Sequence, residues 1–341
     1  MNAAGQMAGT LDKPSRFSYA FIAGTIILAA WLHLGVPLVV TLFSFFALTK
    51  LNFLPRRGKW AAVTLFLFLV VVLAYGLGLF INQMVKALPD IADQAIPLVI
   101  QWAKDHQMEL PFTDYDSLKE TAMEAIKNQV HYWGSFVKFA RGATSEILLC
   151  IVGVVIAIGM FCNPTFEPIG QRPTLPANLY AQCVDSIAAR FKTFYESFAT
   201  VMGAQILISA INTTLTAIFV FAVHLRHPWV VIGATFLCGM LPIVGNLLSN
   251  TIIVGIGITM SPHMAITCLV FLVVVHKLEY FLNSKIVGDR IRNPFWLTLL
   301  ALILGEKLMG IPGMILAPVV LNYLKLEASR IRMARSVVEV K

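Results

Sequence analysis

Two apolar stretches in the last third of the chain are each broken near their middle by proline and glycine, and this constrains the fold more than any other feature. Residues 229–260 read WVVIGATFLCGM-LPIVGN-LLSNTIIVGIGITM, and residues 295–324 read FWLTLLALILG-EKLMGIPG-MILAPVVLNYL. Each half falls short of the roughly 20 apolar residues that a bilayer-spanning helix needs. Broken helices at membrane depth leave backbone groups unpaired, which is tolerated only beside protein or a water-filled cavity. A matching pair of them is the best sequence pointer to a solute-binding site in a transporter.

The rest of the 341-residue chain agrees with a membrane setting: 58% of it is hydrophobic and only 13% charged, against about 25% charged in soluble domains. The net charge of +8 does not mark a nucleic-acid binder, because the bases flank apolar spans. Lys13 and Arg16 precede the first span; Lys50, Arg56, Arg57 and Lys59 fill one short loop; Lys285, Arg290 and Arg292 fill another. Arg330, Arg332, Arg335 and Lys341 close the chain. By the positive-inside rule all four regions are cytoplasmic, as are both termini. The first apolar run continues past Ala29–Ala30 without a hydrophilic mature start, so it reads as a retained span. Cys150, Cys162, Cys183, Cys238 and Cys268 show no C-x-x-C spacing and read as small buried hydrophobes, with neither metal nor cofactor implied.

Along the chain, residues 1–81 read as a cytoplasmic tail and three spans (17–33, 36–51 and 60–81). Residues 82–146 form a polar insertion of helical periodicity with proline breaks at Pro89, Pro97 and Pro111. Its nine acids outnumber its six bases, which together with span parity puts it outside. Residues 147–198 comprise an inward span and an amphipathic helix, with Leu179, Cys183, Ile187, Phe191, Phe194, Tyr195 and Phe198 spaced by three and four. Residues 199–325 hold spans at 200–223 and 264–282, each followed by one broken segment, and 326–341 is a basic tail.

Had residues 295–324 crossed once, the terminal bases would lie outside; had residues 229–260 crossed once, Lys285, Arg290 and Arg292 would. Both broken segments therefore read as re-entrant helical hairpins, with tips at Pro242 and Gly245 and at Gly310, Gly313 and Pro318. The expected fold is an all-α polytopic membrane protein with about six full transmembrane helices plus two re-entrant hairpins. A span plus hairpin, repeated in opposite orientation, forms an inverted repeat in the C-terminal half and suits elevator-like alternating access.

The same residues resemble a known family. Gly239-Met240-Leu241-Pro242-Ile243-Val244-Gly245-Asn246 is similar to the P-x-x-G signature of the autoinducer-2 exporters. The run HKLEYFLNSKIVGDRIRNPFWLTLLALILGEKLMGIPGMILAPVV (276–320) is similar to that family's C-terminal hallmark, through Glu279, Lys285–Gly288, Pro294, Gly310, Gly313, Ala317 and Pro318. Ser284 and Glu306 depart from the family's usual proline and small residue. The resemblance implies a homo-oligomeric, pentameric exporter of the bacterial inner membrane. It also implies that some relatives move sodium or lithium against protons, and that no single substrate is shared.

Ionisable groups inside spans default to functional hypotheses. Glu279, with His276 on the same helical face, is either a proton- or cation-binding carboxylate or an interfacial group paired with Lys285. Glu306 and Lys307, at the second tip, either contact solute or form an ion pair in water. Neutral polar side chains suit a small hydrophilic ligand because they supply hydrogen bonds without a bare charge. Gln205, Ser209, Asn212 and Thr213 on the span at 200–223, with Asn246, Ser249 and Asn250 after the first tip, form the candidate substrate path. For any one of them, an interhelical hydrogen bond is the alternative. The chain has no H-E-x-x-H, G-x-S-x-G, Walker sequence or C-x-x-C-H, so nothing in it marks an enzyme. The partners are the lipid bilayer and a small-molecule or ion substrate. The rivals to export are sodium (or lithium)/proton antiport and an envelope scaffold acting through residues 82–146.

Overall fold

A computed structural model describes residues 13–52, 58–105, 146–163, 179–241, 244–286 and 294–330. Every regular element among them is an α-helix: α1 (Lys13–Trp31), α2 (Gly35–Leu51), α3 (Gly58–Asp105), α4 (Glu146–Cys162), α5 (Leu179–Ala222), α6 (Pro228–Gly239), α7 (Val244–Met260), α8 (Pro262–Ile286), α9 (Phe295–Met309) and α10 (Ile311–Arg330). Four of these, α3, α5, α8 and α10, are long and apolar enough to cross a membrane; α2, α4, α6 and α7 are apolar but shorter. Length and composition thus support four crossings among the described residues. The arrangement of six spans plus two re-entrant hairpins goes beyond them.

The helices differ from the linear reading at three places. The helix α3 continues through Pro89 and Pro97 to Asp105, so neither proline breaks it and the expected boundary at 81/82 lies inside it; Pro111 falls outside the described residues. A stripe of Ala87, Ile91, Ala95 and Ile100 is buried, and packing of that face against α6 and α7 offsets the backbone bonds the prolines remove. The amphipathic stretch 179–198 and the span at 200–223 are one uninterrupted helix, α5. Its Phe194, Phe198 and Met202 are buried in a core, which answers the apolar face seen in the sequence. The helix α10 runs past 325 to Arg330, so the start of the basic tail is helical.

Two compact units emerge. The first gathers residues 1–53, 153–202 and 291–341; the second gathers 54–152 and 203–290. The first span-plus-broken-helix segment of the linear reading therefore falls almost wholly in the second unit, whereas the other is divided: its span at 264–282 belongs to the second unit and its broken segment at 295–324 to the first.

In the first unit, Ile22, Val39, Phe194, Phe198, Leu316, Val319 and Tyr323 form the core, with Phe43 set edge-on against Phe198 at 5.0 Å. The helices α9 and α10 pack along each other. Gly305 and Gly313 face one another so closely that a Cβ on either would strike the other's backbone. Their junction, Gly310, has φ 65° and ψ −141°, a conformation reserved for glycine.

In the second unit, Ala87, Ile91, Val220, Leu225, Val230, Val231, Ile253, Ile256 and Cys268 form the core. Phe80 of α3 fills the space over Gly233 of α6, and Phe219 stacks on Phe271 at 3.9 Å. His224, in the left-handed region at φ 53°, ends α5. The bonds from His224 N–H to the Phe221 carbonyl and from Leu225 N–H to the Val220 carbonyl complete that cap. The turn then enters α6 at Pro228, in a first-turn position that proline tolerates.

Candidate functional site

The break between α6 and α7 organises the second unit. A helix leaves its last carbonyls without partners, and those of α6 are satisfied in two ways. The Leu237 and Cys238 carbonyls accept from Met240 N–H (3.3 Å) and Leu241 N–H (2.8 Å) of the chain that follows. The Phe236 carbonyl accepts from the Ser209 hydroxyl at 2.8 Å, and the Gly239 carbonyl accepts from the Gln205 side-chain amide at 2.6 Å. Two glycines permit this closeness. A Cβ on Gly239 would lie 2.7 Å from the Ser209 oxygen, and a Cβ on Gly245 would collide with the Cys238 carbonyl. Gly245 is thus required for close approach. Pro242, the other expected tip residue, lies outside the described residues.

The residue after Gly245 carries the central contact. The Asn246 side-chain amide donates to both oxygens of Glu279, at 2.8 and 2.9 Å, joining α7 to α8. Beside this pair lies a small cavity with about 20 Å³ of space for a water-sized guest, enough for about one water molecule. Asn212, Thr216, Thr235, Asn246, Ser249, Asn250, His276 and Glu279 line it, closed by Ile253, Leu272 and Val275. Asn212 is 6% exposed, and its amide oxygen has no hydrogen-bond partner among the described residues. Ser249 bonds back to the Asn246 carbonyl at 3.3 Å, and Thr235 to the Val231 carbonyl at 2.8 Å. Amides, hydroxyls and the His276 imidazole therefore surround a single carboxyl group, a lining able to hold a small polar guest or a cation.

Of the sequence candidates, Asn212, Asn246, Ser249, Asn250 and Glu279 meet at this cavity. Gln205 and Ser209, on the same stripe of α5, instead hold the end of α6. Glu306 forms an exposed ion pair with Lys307 at 3.5 Å in the other unit, together with Gly310, Gly313 and Pro318. The backbone of Lys285 belongs to α8, and its side chain lies outside what is described. Sequence reading missed Thr216 and Thr235. Thr216 was within reach, since it extends the spacing 205, 209, 212 by one helical turn; Thr235 carries no such signal.

A second polar cluster, in the first unit, also escaped the sequence. Glu327 of α10, 3% exposed, accepts from the Arg190 guanidinium of α5 at 2.7 Å and from the Tyr19 hydroxyl of α1 at 3.0 Å. Arg330 reaches Glu327 at 3.4 Å and Thr193 at 2.8 Å. Arg190 lies over the Tyr19 ring, 4.3 Å from its centroid.

Comparison with known proteins adds the following. A family profile described as "AI-2E family transporter" matches residues 17–328. A curated protein of Bacillus subtilis (strain 168), named "Putative transport protein YdbI", is 28% identical over 134 residues. That match covers 39% of this chain and 38% of the relative.

Proposed function

The chain belongs to the AI-2E family of transporters, and from that premise we propose that it carries a small hydrophilic solute, such as autoinducer-2, out of the cell by alternating access. In this reading it sits in the bacterial inner membrane with both termini cytoplasmic. The α6–α7 and α9–α10 pairs are its two re-entrant hairpins, beside six full spans, and it works as a homo-oligomer, a pentamer by family resemblance. The cavity of α5, α7 and α8 is its binding site. One observation carries this: a buried amide oxygen on Asn212, without a partner among the described residues, beside the Asn246–Glu279 pair, with Asn212 and Glu279 on helices long and apolar enough to span a membrane. An unsatisfied buried acceptor costs free energy that a bound donor would recover, and polar groups in such helices mark solute or ion paths.

The size of the cavity favours a second reading for the same site. It has room for about one water-sized guest, which suits a sodium or lithium ion or a proton better than a polyol. The partner of Glu279 among the described residues is an amide, so no described cation is bonded to its oxygens. Export coupled to a cation at Glu279 joins the two readings.

Reconstituted flux separates them. Proteoliposomes are assayed with autoinducer-2 and with a panel of small polyols, sodium, lithium and protons, for the native protein, Asn212→Leu and Glu279→Gln. Solute transport through this cavity is expected to fail in Asn212→Leu. Loss of only the pH and cation dependence in Glu279→Gln assigns that carboxylate to coupling. Flux unchanged in both variants overturns the site, and no flux of any solute by the native protein favours the scaffold alternative.

A further inference from the structure

The polar stripe on α5 divides into two parts. Asn212 and Thr216 line the cavity, whereas Gln205 and Ser209 do not touch it. Gln205 and Ser209 instead spend their donors on the Gly239 and Phe236 carbonyls, and with the two turn bonds that follow they leave none of the last four carbonyls of α6 unpaired. The end of α6 in turn seats the start of α7, because Gly245 lies against the Cys238 carbonyl, and Asn246 is the next residue. A continuous series of contacts therefore runs from Gln205 and Ser209, through the final turn of α6 and Gly245, to the Asn246–Glu279 pair.

We propose that Gln205 and Ser209 are positioning residues, which tie the last turn of α6 to α5 and so set how readily the Asn212–Asn246–Glu279 cavity opens, without touching its occupant. The inference deepens the transport reading by assigning control of access to a site outside the cavity. Each bond is short and part-buried, and nothing else among the described contacts pairs those two carbonyls. Loss of one donor leaves a carbonyl that water must satisfy, which favours the state in which α6 has parted from α5.

The test uses the reaction of Ser249→Cys, a near-isosteric reporter at a cavity position that is 4% exposed, with a small methanethiosulfonate reagent. Modification is read on the peptide that carries residue 249, so the native cysteines stay in place. Gln205→Leu in that background is expected to raise the modification rate about five- to tenfold, the factor that corresponds to one net hydrogen bond. Gln205→Glu keeps the shape and can donate only when protonated. Its rate, relative to native Gln205 at the same pH, is expected to be near one about a unit below the ordinary glutamate pKa of about 4.3 and to climb with pH as the carboxyl ionises. A side chain that merely fills space would give no such pH dependence. Both arms are required: an unchanged rate in Gln205→Leu, or a flat ratio in Gln205→Glu, overturns the proposal. Asn212→Leu flux is scored separately. Flux intact there, with both labelling arms positive, would remove the solute site while leaving the tether in place.

Discussion

Removal of the Glu327 carboxylate probes the most heavily bonded side chain described in the first unit. Three groups converge on it: Arg190 at 2.7 Å, Tyr19 at 3.0 Å and Arg330 at 3.4 Å. They do not weigh equally. The side chains of Arg190 and Glu327 are only 16% and 4% exposed, whereas that of Arg330 is 53% exposed, and such an exposed ion pair contributes at most about 1 kcal/mol. The effect therefore rests on Arg190, which Glu327→Ala would leave as a largely buried, uncompensated guanidinium. Breaking a buried pair in this way costs about 3–5 kcal/mol. Glu327→Ala is expected near the lower end of that range, because Arg190 keeps its cation–π contact with Tyr19 and can swing toward water. Replacing both members with apolar groups, Arg190→Met with Glu327→Leu, should return most of the loss, since the desolvation cost of both charges disappears together. The assay is reversible unfolding in mixed detergent and SDS for the native protein and Glu327→Ala, and for Arg190→Met, Glu327→Leu and their double variant, which with the native protein are analysed as a cycle. A coupling energy above about 2 kcal/mol is expected, from the same penalty for an uncompensated charge. A Glu327→Ala loss below about 1 kcal/mol together with additive single effects would refute the reasoning, and would mean that water already screens this pair.

Three further outcomes follow from local geometry. Gly310→Ala should destabilise by about 1–3 kcal/mol, because φ 65° with ψ −141° is a glycine conformation; equal unfolding midpoints for variant and native protein would contradict it. Gly245→Val should abolish flux more than it lowers expression, since any Cβ at Gly245 strikes the Cys238 carbonyl and displaces Asn246; proteoliposomes holding folded variant with native flux would count against this. Asn246→Asp should block flux near neutral pH and recover part of it in acid, because a second carboxylate facing Glu279 is tolerated once the two share a proton; loss that is independent of pH would oppose that account.

How much of this could be read from the sequence depends on whether the determining contacts are local. The spacing of Gln205, Ser209, Asn212 and Thr216 places them on one face of α5 from helical period alone. The division of that face cannot be read the same way. It depends on where α6 stops, and its stop is set by a break whose conformation is shared among Met240, Leu241 and Gly245. Glu279 was conspicuous as an acid in an apolar helix, but its partner Asn246 lies 33 residues away, across that same break. Glu327 and Arg190 are 137 residues apart. Glu327 was hidden among the bases that end the chain, because charge counting registers a basic region and not a buried acid within it. The prolines at 89 and 97 misled in the opposite direction. Local propensity argues for breaks there, while the buried stripe of Ala87, Ile91, Ala95 and Ile100 holds α3 in one piece. The interrupted helix was legible as an interruption, and the physics that made it so also explains the site. The carbonyls freed at the end of α6 take polar side chains of α5, and one more turn of the same helix offers the donors and acceptors that a polar guest would use. The stripe on α5 therefore serves the fold at Gln205 and Ser209 and the cavity at Asn212 and Thr216.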